Sequence, residues 1–176
     1  MRQVTLPIAL AISFGIVVLA VAILYAMGRP PICTCGYVRF WGPPDSQHLF
    51  DAYSFTHMLH APFYYLLVWL VTRGRLSIAK TLIICVFIES AWEIIENSPF
   101  IIRRYQGGEA GGYTGDSIIN SVGDLISMAT GFLITAWVPA WVAAVLFVGT
   151  EVALYVVMQD GFILDFLTLV LGKRPF

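Results

Sequence analysis

Glu89, Glu93 and Glu96 lie in one apolar run, Glu89-Ser90-Ala91-Trp92-Glu93-Ile94-Ile95-Glu96. On a helix advancing about 100° per residue they fall at about 0°, 40° and −20°, one narrow face. His57, His60 and Tyr64 share an arc of about 60° by the same arithmetic, and Asp116, Asn120 and Asp124 one of about 80°. Carboxylates and imidazoles at this density can exchange protons or hold a divalent cation. An ionised side chain at the centre of a membrane helix costs about 2.5–3.5 kcal/mol or more. Like charges on one face also oppose each other's ionisation. No Lys or Arg lies well inside these runs. Compensation must come from a bound metal, shared protons, protonated His57 or His60, or Arg103 and Arg104 folding back from the following loop.

The surrounding sequence indicates what positions these groups. The 176 residues are 59% hydrophobic and only 12% charged, with a mean hydropathy of +0.80. A soluble domain of this size carries about 25% charged residues, so lipid is the expected solvent for most of the chain. Five runs, 6–27, 54–72, 78–97, 117–137 and 140–158, approach the roughly 20 residues needed to span about 30 Å of hydrocarbon. The first is longer than a signal h-region and reads as an uncleaved anchor. Segment 162–171 is too short to span and reads as an interfacial or re-entrant helix. The expectation is an all-α polytopic membrane bundle, one integral domain over residues 1–176, with about five transmembrane helices.

Alternating spans put loop 28–53 and loop 98–116 on one side. The histidines begin the second run, Glu93 and Glu96 end the third, and Asp116 and Asn120 begin the fourth. The polar residues therefore meet in one half of the bilayer, beneath the two loops. Arg73, Arg75 and Lys80 flank a tight connection and argue that it is cytoplasmic, with the site facing the periplasm; the full Lys/Arg tally argues the reverse. The glycine-rich stretch Gly107–Gly115 fits no phosphate-binding fingerprint and reads as a flexible connector. Asp116, after Gly115, has the further reading of a helix N-cap. Cys85 reads as a packed thiol. Cys33 and Cys35 leave a disulfide, a metal contact and free thiols open. A net charge of −1 argues against a nucleic-acid partner.

Three functions suit this pattern. In a membrane-embedded hydrolase or transferase, Glu89, Glu93, Glu96, Asp116, Asn120 and Asp124 form the catalytic set. His57, His60, Glu93 and Asp116 are the metal ligands, for a divalent ion such as zinc. Arg103, Arg104, Tyr64 and His48 contact a lipid-like or anionic substrate. The alternatives are a carrier or binding module for protons, cations or a small solute, and a structural or partner-binding membrane protein.

Several stretches are specific enough to carry a resemblance. Ser46-Gln47-His48-Leu49-Phe50-Asp51-Ala52-Tyr53-Ser54-Phe55-Thr56-His57 with His60, Glu96-Asn97-Ser98-Pro99-Phe100-Ile101-Ile102, Arg104-Tyr105, Gly115-Asp116-Ser117-Ile118-Ile119-Asn120-Ser121 and Cys33-x-Cys35-Gly36 resemble an uncharacterised alphaproteobacterial membrane family, a domain of unknown function. The resemblance covers nearly the whole chain and implies a multi-pass inner-membrane protein without an established activity. A looser likeness, carried by Asp51, His57, Tyr64, Glu89, Glu93, Arg104, Asp116, Asn120 and Gly131, is to VanZ-like membrane proteins; there the Asp-to-His spacing departs from the pattern.

Overall fold

The computed structural model describes residues 4–106 and 113–174. Seven α-helices occur among them, and no strand: α1 Leu6–Ala26, α2 Ser54–Thr72, α3 Ile78–Glu96, α4 Pro99–Gln106, α5 Ile118–Trp137, α6 Ala140–Met158 and α7 Phe162–Leu171. α1, α5 and α6 are long and apolar enough to cross a membrane. α2 and α3, 19 residues each, match α6 in length but carry the polar residues of the site and are not among the three.

The inner bundle is α2, α3 and α5, with α2 packed most extensively on α5. Two sequence features permit that approach. Pro62, inside α2, has no N–H to give the Met58 carbonyl one turn back, and a Cβ on Gly131 of α5 would run into that same carbonyl. Glycine there lets the two backbones meet. Ala61, Tyr64, Leu82, Cys85, Val86, Met128 and Phe132 then fill the interior as one apolar cluster. α1 is apolar all round. It buries only the stripe Ala9, Ser13, Ala20 and Leu24, packs on α3 and leaves Leu6, Phe14 and Leu19 exposed. α6 buries Leu154 alone and exposes Trp141, Val145, Val148 and Val156. Such outward apolar surface suits lipid.

The expected connector 98–116 is corrected in its first half. Pro99 opens α4, a favourable first helical residue because its missing N–H would have no partner anyway, and Ile101 is buried beneath it. Residues 107–112, which hold most of the glycine-rich stretch, lie outside the described residues. α7 is anchored at both ends. The Glu151 carboxylate accepts from the amides of Phe162 and Ile163 at 3.2 and 2.8 Å, and Arg104 donates to the carbonyls of Leu169 and Val170, both at 2.9 Å. Two of the orphan groups at each end of this short helix are thereby satisfied. Loop 28–53 is knitted to α5: the amides of Ser117, Ile118 and Ile119 donate to the carbonyls of Ser46, Pro30 and Pro31. A Cβ on Gly123 would overlap the Leu49 carbonyl oxygen, so α5 meets this loop through bare backbone. Cys33 and Cys35 form a disulfide, and Cys85 is a buried free thiol.

Candidate functional site

The site grows out of α3. Glu89 and Glu93 are a helical turn apart, share one face and are fully buried. Across from them α2 presents His57 and His60, also buried. The Glu89 carboxylate lies 2.7 Å from His57 Nδ1 and 2.8 Å from His60 Nδ1. A carboxylate accepts, so both Nδ1 atoms donate, and a ring that is neutral then keeps its lone pair on Nε2. That is how a carboxylate fixes the tautomer of a ligating histidine. His60 is further boxed by rings, 5.2 Å from Phe162 and 6.2 Å from Trp92 between centroids, both edge-on.

Glu93 is a contrast. His57 Nδ1 lies 3.3 Å from Glu93 Oε1 but is aimed at Glu89, and neither buried Glu93 oxygen has a hydrogen-bond partner. Oε2 of Glu96, one turn on, is buried without a partner too. A carboxylate in this state carries the full cost of desolvation unless something positive joins it. One ligand atom each from His57, Glu93 and Glu96 lies within 4.8 Å of the others, and the same holds for His57, His60 and Glu89. Both groups have the residue types and spacing for a divalent cation.

α5 supplies the third wall. Asp124 accepts from Ser54 Oγ at 2.9 Å and stands 3.9 Å from His57 Nε2. Asn120 turns away, donating to Asp51 at 3.4 Å. Asp51 also accepts from the amides of Ser46 and Tyr53 at 2.6 and 2.8 Å, tying loop 28–53 to the start of α2. Burial, opposed by these amides, raises the Asp51 carboxyl above its ordinary range. Asp116 belongs to neither metal-capable group. It accepts from Asn97 Nδ2 at 2.7 Å and Tyr113 Oη at 3.2 Å, while its amide donates to Asn97 Oδ1 at 2.7 Å. Ser117 rather than Asp116 is the N-cap of α5. Burial raises Asp116, with the Asn97 hydrogen bond opposing.

A cavity of about 880 Å³ opens over this cluster. His57, His60, Glu96, Asp116 and Asp124 form its polar end, and Phe63, Trp92, Phe162, Phe166 and Leu169 its apolar wall. Tyr64 lines it as well. The other expected substrate contacts stand elsewhere. Arg104 is engaged with α7, Arg103 is exposed, and neither lines the cavity; the arginine that does is Arg174. No arginine folds back onto Glu89 or Glu93 among the described ion pairs. His48 is buried in loop 28–53, stacked on Tyr37 and 3.1 Å from the Pro43 carbonyl. Sequence reasoning misses Asn97, Trp92, Tyr105, Tyr113 and the α7 residues. Asn97 has a signal, a carboxamide one turn beyond Glu93; the α7 contacts have none, since only the fold brings residue 162 to residue 60.

The family described as "Protein of unknown function (DUF2585)" matches residues 24–173. The chain belongs to this family. It is 42% identical over 165 residues to a UPF0314 protein of Agrobacterium fabrum, covering 90% of this chain and 83% of that one. It is 40% identical over 163 residues to a UPF0314 protein of Paracoccus denitrificans, with 89% and 84% covered. A Novosphingobium aromaticivorans relative is 42% identical over 168 residues, with 90% and 85% covered. No solved structure matches the chain. The alphaproteobacterial resemblance is thus established, and the likeness to VanZ-like proteins is not shown by these matches.

Proposed function

We propose that this is a multi-pass protein of the bacterial inner membrane, spanning it with α1, α2, α3, α5 and α6, and that its buried site is a metal-assisted hydrolase or transferase centre for a lipid-like substrate. The observation that carries the reading is the buried Glu93 carboxylate, with no donor to either oxygen, together with the unpartnered Oε2 of the half-buried Glu96, both beside His57. A divalent cation, zinc being well suited to nitrogen and carboxylate donors, supplies the missing positive charge and, when bound, an activated water. His57, Glu93 and Glu96 are the ligands, with His60 alongside; Glu89 holds both imidazoles in the ligating tautomer. Asp124, beside His57, is placed to take or return a proton. Asp116, held by Asn97 and Tyr113 and outside both metal-capable groups, serves the substrate rather than the metal. The apolar wall and the lateral position of α7 suit an acyl or prenyl chain.

A proton or cation carrier uses the same acids but needs a second exit. The apolar cluster around Met128 and Phe132 fills the bundle beyond His60, which favours a site open to one side only. The test is metal content. Protein purified in mild detergent is expected to hold about one divalent cation per chain, and Glu93→Gln and His57→Asn to lose it while keeping their helical circular dichroism. Folded wild-type protein that is metal-free and takes up none on reconstitution overturns the reading.

A further inference from the structure

The polar end of the cavity has a charge that bears on which headgroup it accepts. Beyond the proposed ligands, Asp45, Asp116 and Asp165 line it, against Arg174 as the lone guanidinium among its lining residues. Arg174 is itself occupied, donating to the Gln159 carbonyl and standing 3.9 Å from Asp160. Aromatic rings line the same cavity. Tyr105 and Tyr113 meet edge to face, 5.6 Å between centroids at 89°. Both line the cavity with Trp92, and Tyr113 donates to Asp116. The phenol of Tyr105 is raised above its ordinary range, first by burial and then by Glu96, Asp165 and Asp116, as expected where the local field is negative. The unpartnered, buried Oε2 of Glu96 belongs to the same wall. Aromatic faces backed by carboxylates are what an ammonium group binds, each ring attracting the cation through its quadrupole. A free anion entering this end meets repulsion and has no unengaged arginine to receive it.

We infer that the cavity takes an amphiphile with an ammonium headgroup, its cation between Tyr105, Tyr113 and Trp92 beside Asp116, and its chain along Phe63, Phe162 and Phe166. This rests on the reading of the cavity as a lipid-like substrate site, and it reverses the anionic headgroup expected from Arg103 and Arg104. Asp116, which belongs to neither metal-capable group, acquires a use: it pairs with the headgroup.

The experiment follows Trp92 fluorescence in full-length protein in maltoside detergent, with Trp41, Trp69, Trp137 and Trp141 replaced by Phe. The titrants are tetradecyltrimethylammonium, tetradecyl phosphate and tetramethylammonium, each with metal-stripped and zinc-loaded protein. Saturable binding of the ammonium amphiphile is expected in both, at least about tenfold tighter than the phosphate in the stripped protein, and about tenfold weaker in Tyr105→Leu and in Asp116→Asn. Asp116→Asn keeps an acceptor for Asn97 and so tests charge with the fold intact. Tetramethylammonium is expected to compete weakly, since it lacks the chain. Phosphate amphiphile binding as tightly as ammonium, or ammonium binding unchanged in both variants, overturns the inference. Phosphate binding seen only with zinc overturns it too, while supporting the metal. Ammonium binding to a protein that never takes up metal leaves it standing and removes only the metal reading.

Discussion

The two halves of the α2–α3–α5 bundle are built from the same three helices and differ in chemistry at one level. Toward loop 28–53, α2 buries Ser54, His57 and His60, α3 buries Glu89 and Glu93, and α5 buries Asn120, Ser121 and Asp124. Away from it the same helices bury Ala61, Tyr64, Leu82, Cys85, Val86, Met128 and Phe132. Each helix changes character within about one turn. The apolar half holds the helices together by contact, and in the proposed membrane setting lipid would add no hydrophobic drive between them. The polar half is expensive to bury and is stabilising only where every group has a partner. Glu89 meets that condition and Glu93 does not. A region kept for packing would have no use for such an acid, so the difference separates a scaffold from a site.

The largest expected effect breaks the polar half from within. Glu89→Ala strands two imidazoles and should cost about 4 kcal/mol, whereas Glu93→Gln, which removes no hydrogen bond, should stay within about 1 kcal/mol of wild type. Unfolding in mixed detergent micelles measures both. Equal losses would mean that Glu93 is structural after all. Next comes the apolar half. Phe132→Ala should cost about 3 kcal/mol through lost packing, yet leave metal content unchanged, because Phe132 touches none of the proposed ligands' hydrogen bonds. Loss of metal in that variant would show that the two halves are not separable. A comparable effect, about 3 kcal/mol of overpacking, is expected for Gly123→Ala, whose new methyl would overlap the Leu49 carbonyl oxygen and force backbone to shift. It should loosen loop 28–53, read as faster amide exchange at residues 46–51, with amide exchange in α3 unaltered.

Much of this contrast is legible in the sequence, for a physical reason. A carboxylate or imidazole inside an apolar run is costly enough to be informative by itself, and helical periodicity then decides which of them share a face. Glu89, Glu93, His57, His60 and Asp124 are found that way. What escapes depends on closure in three dimensions. α4 is missed because its single buried residue, Ile101, gives no periodic signal beside Arg103 and Arg104. Glu151, a lone acid in the last long apolar run, caps α7. Asp51 stands out in the sequence only through the family resemblances, yet its carboxylate holds Ser46, Tyr53 and Asn120 together. Arg104 reads as a substrate contact because charge near a site suggests one, while the fold gives it to the carbonyls of α7. Partners fixed by long-range geometry leave no trace in local spacing. For the same reason α2 and α3 fall short of the apolar standard that α1, α5 and α6 meet: their polar faces are hidden by one another.

The smallest effect sharpens the comparison through pH. Asp116 lies at the outer edge of the polar half, and burial raises its carboxyl from the ordinary 3.8 despite the opposing Asn97 hydrogen bond. Between 3.8 and the raised value, the folded protein holds a proton that the unfolded chain has released, so stability falls as pH rises through that window and levels off above it. Asp116→Asn keeps the acceptor for Asn97 and cannot titrate. The wild type should therefore lose stability relative to Asp116→Asn as pH is raised above about 4, and the difference should level off once Asp116 has ionised in the folded protein. Phe132→Ala, in the half without titrating partners, should parallel the wild type at every pH. A flat difference between wild type and Asp116→Asn would mean that the carboxylate is compensated as fully as Glu89. The distinction between satisfied and unsatisfied acids would then end at Glu93 and Glu96.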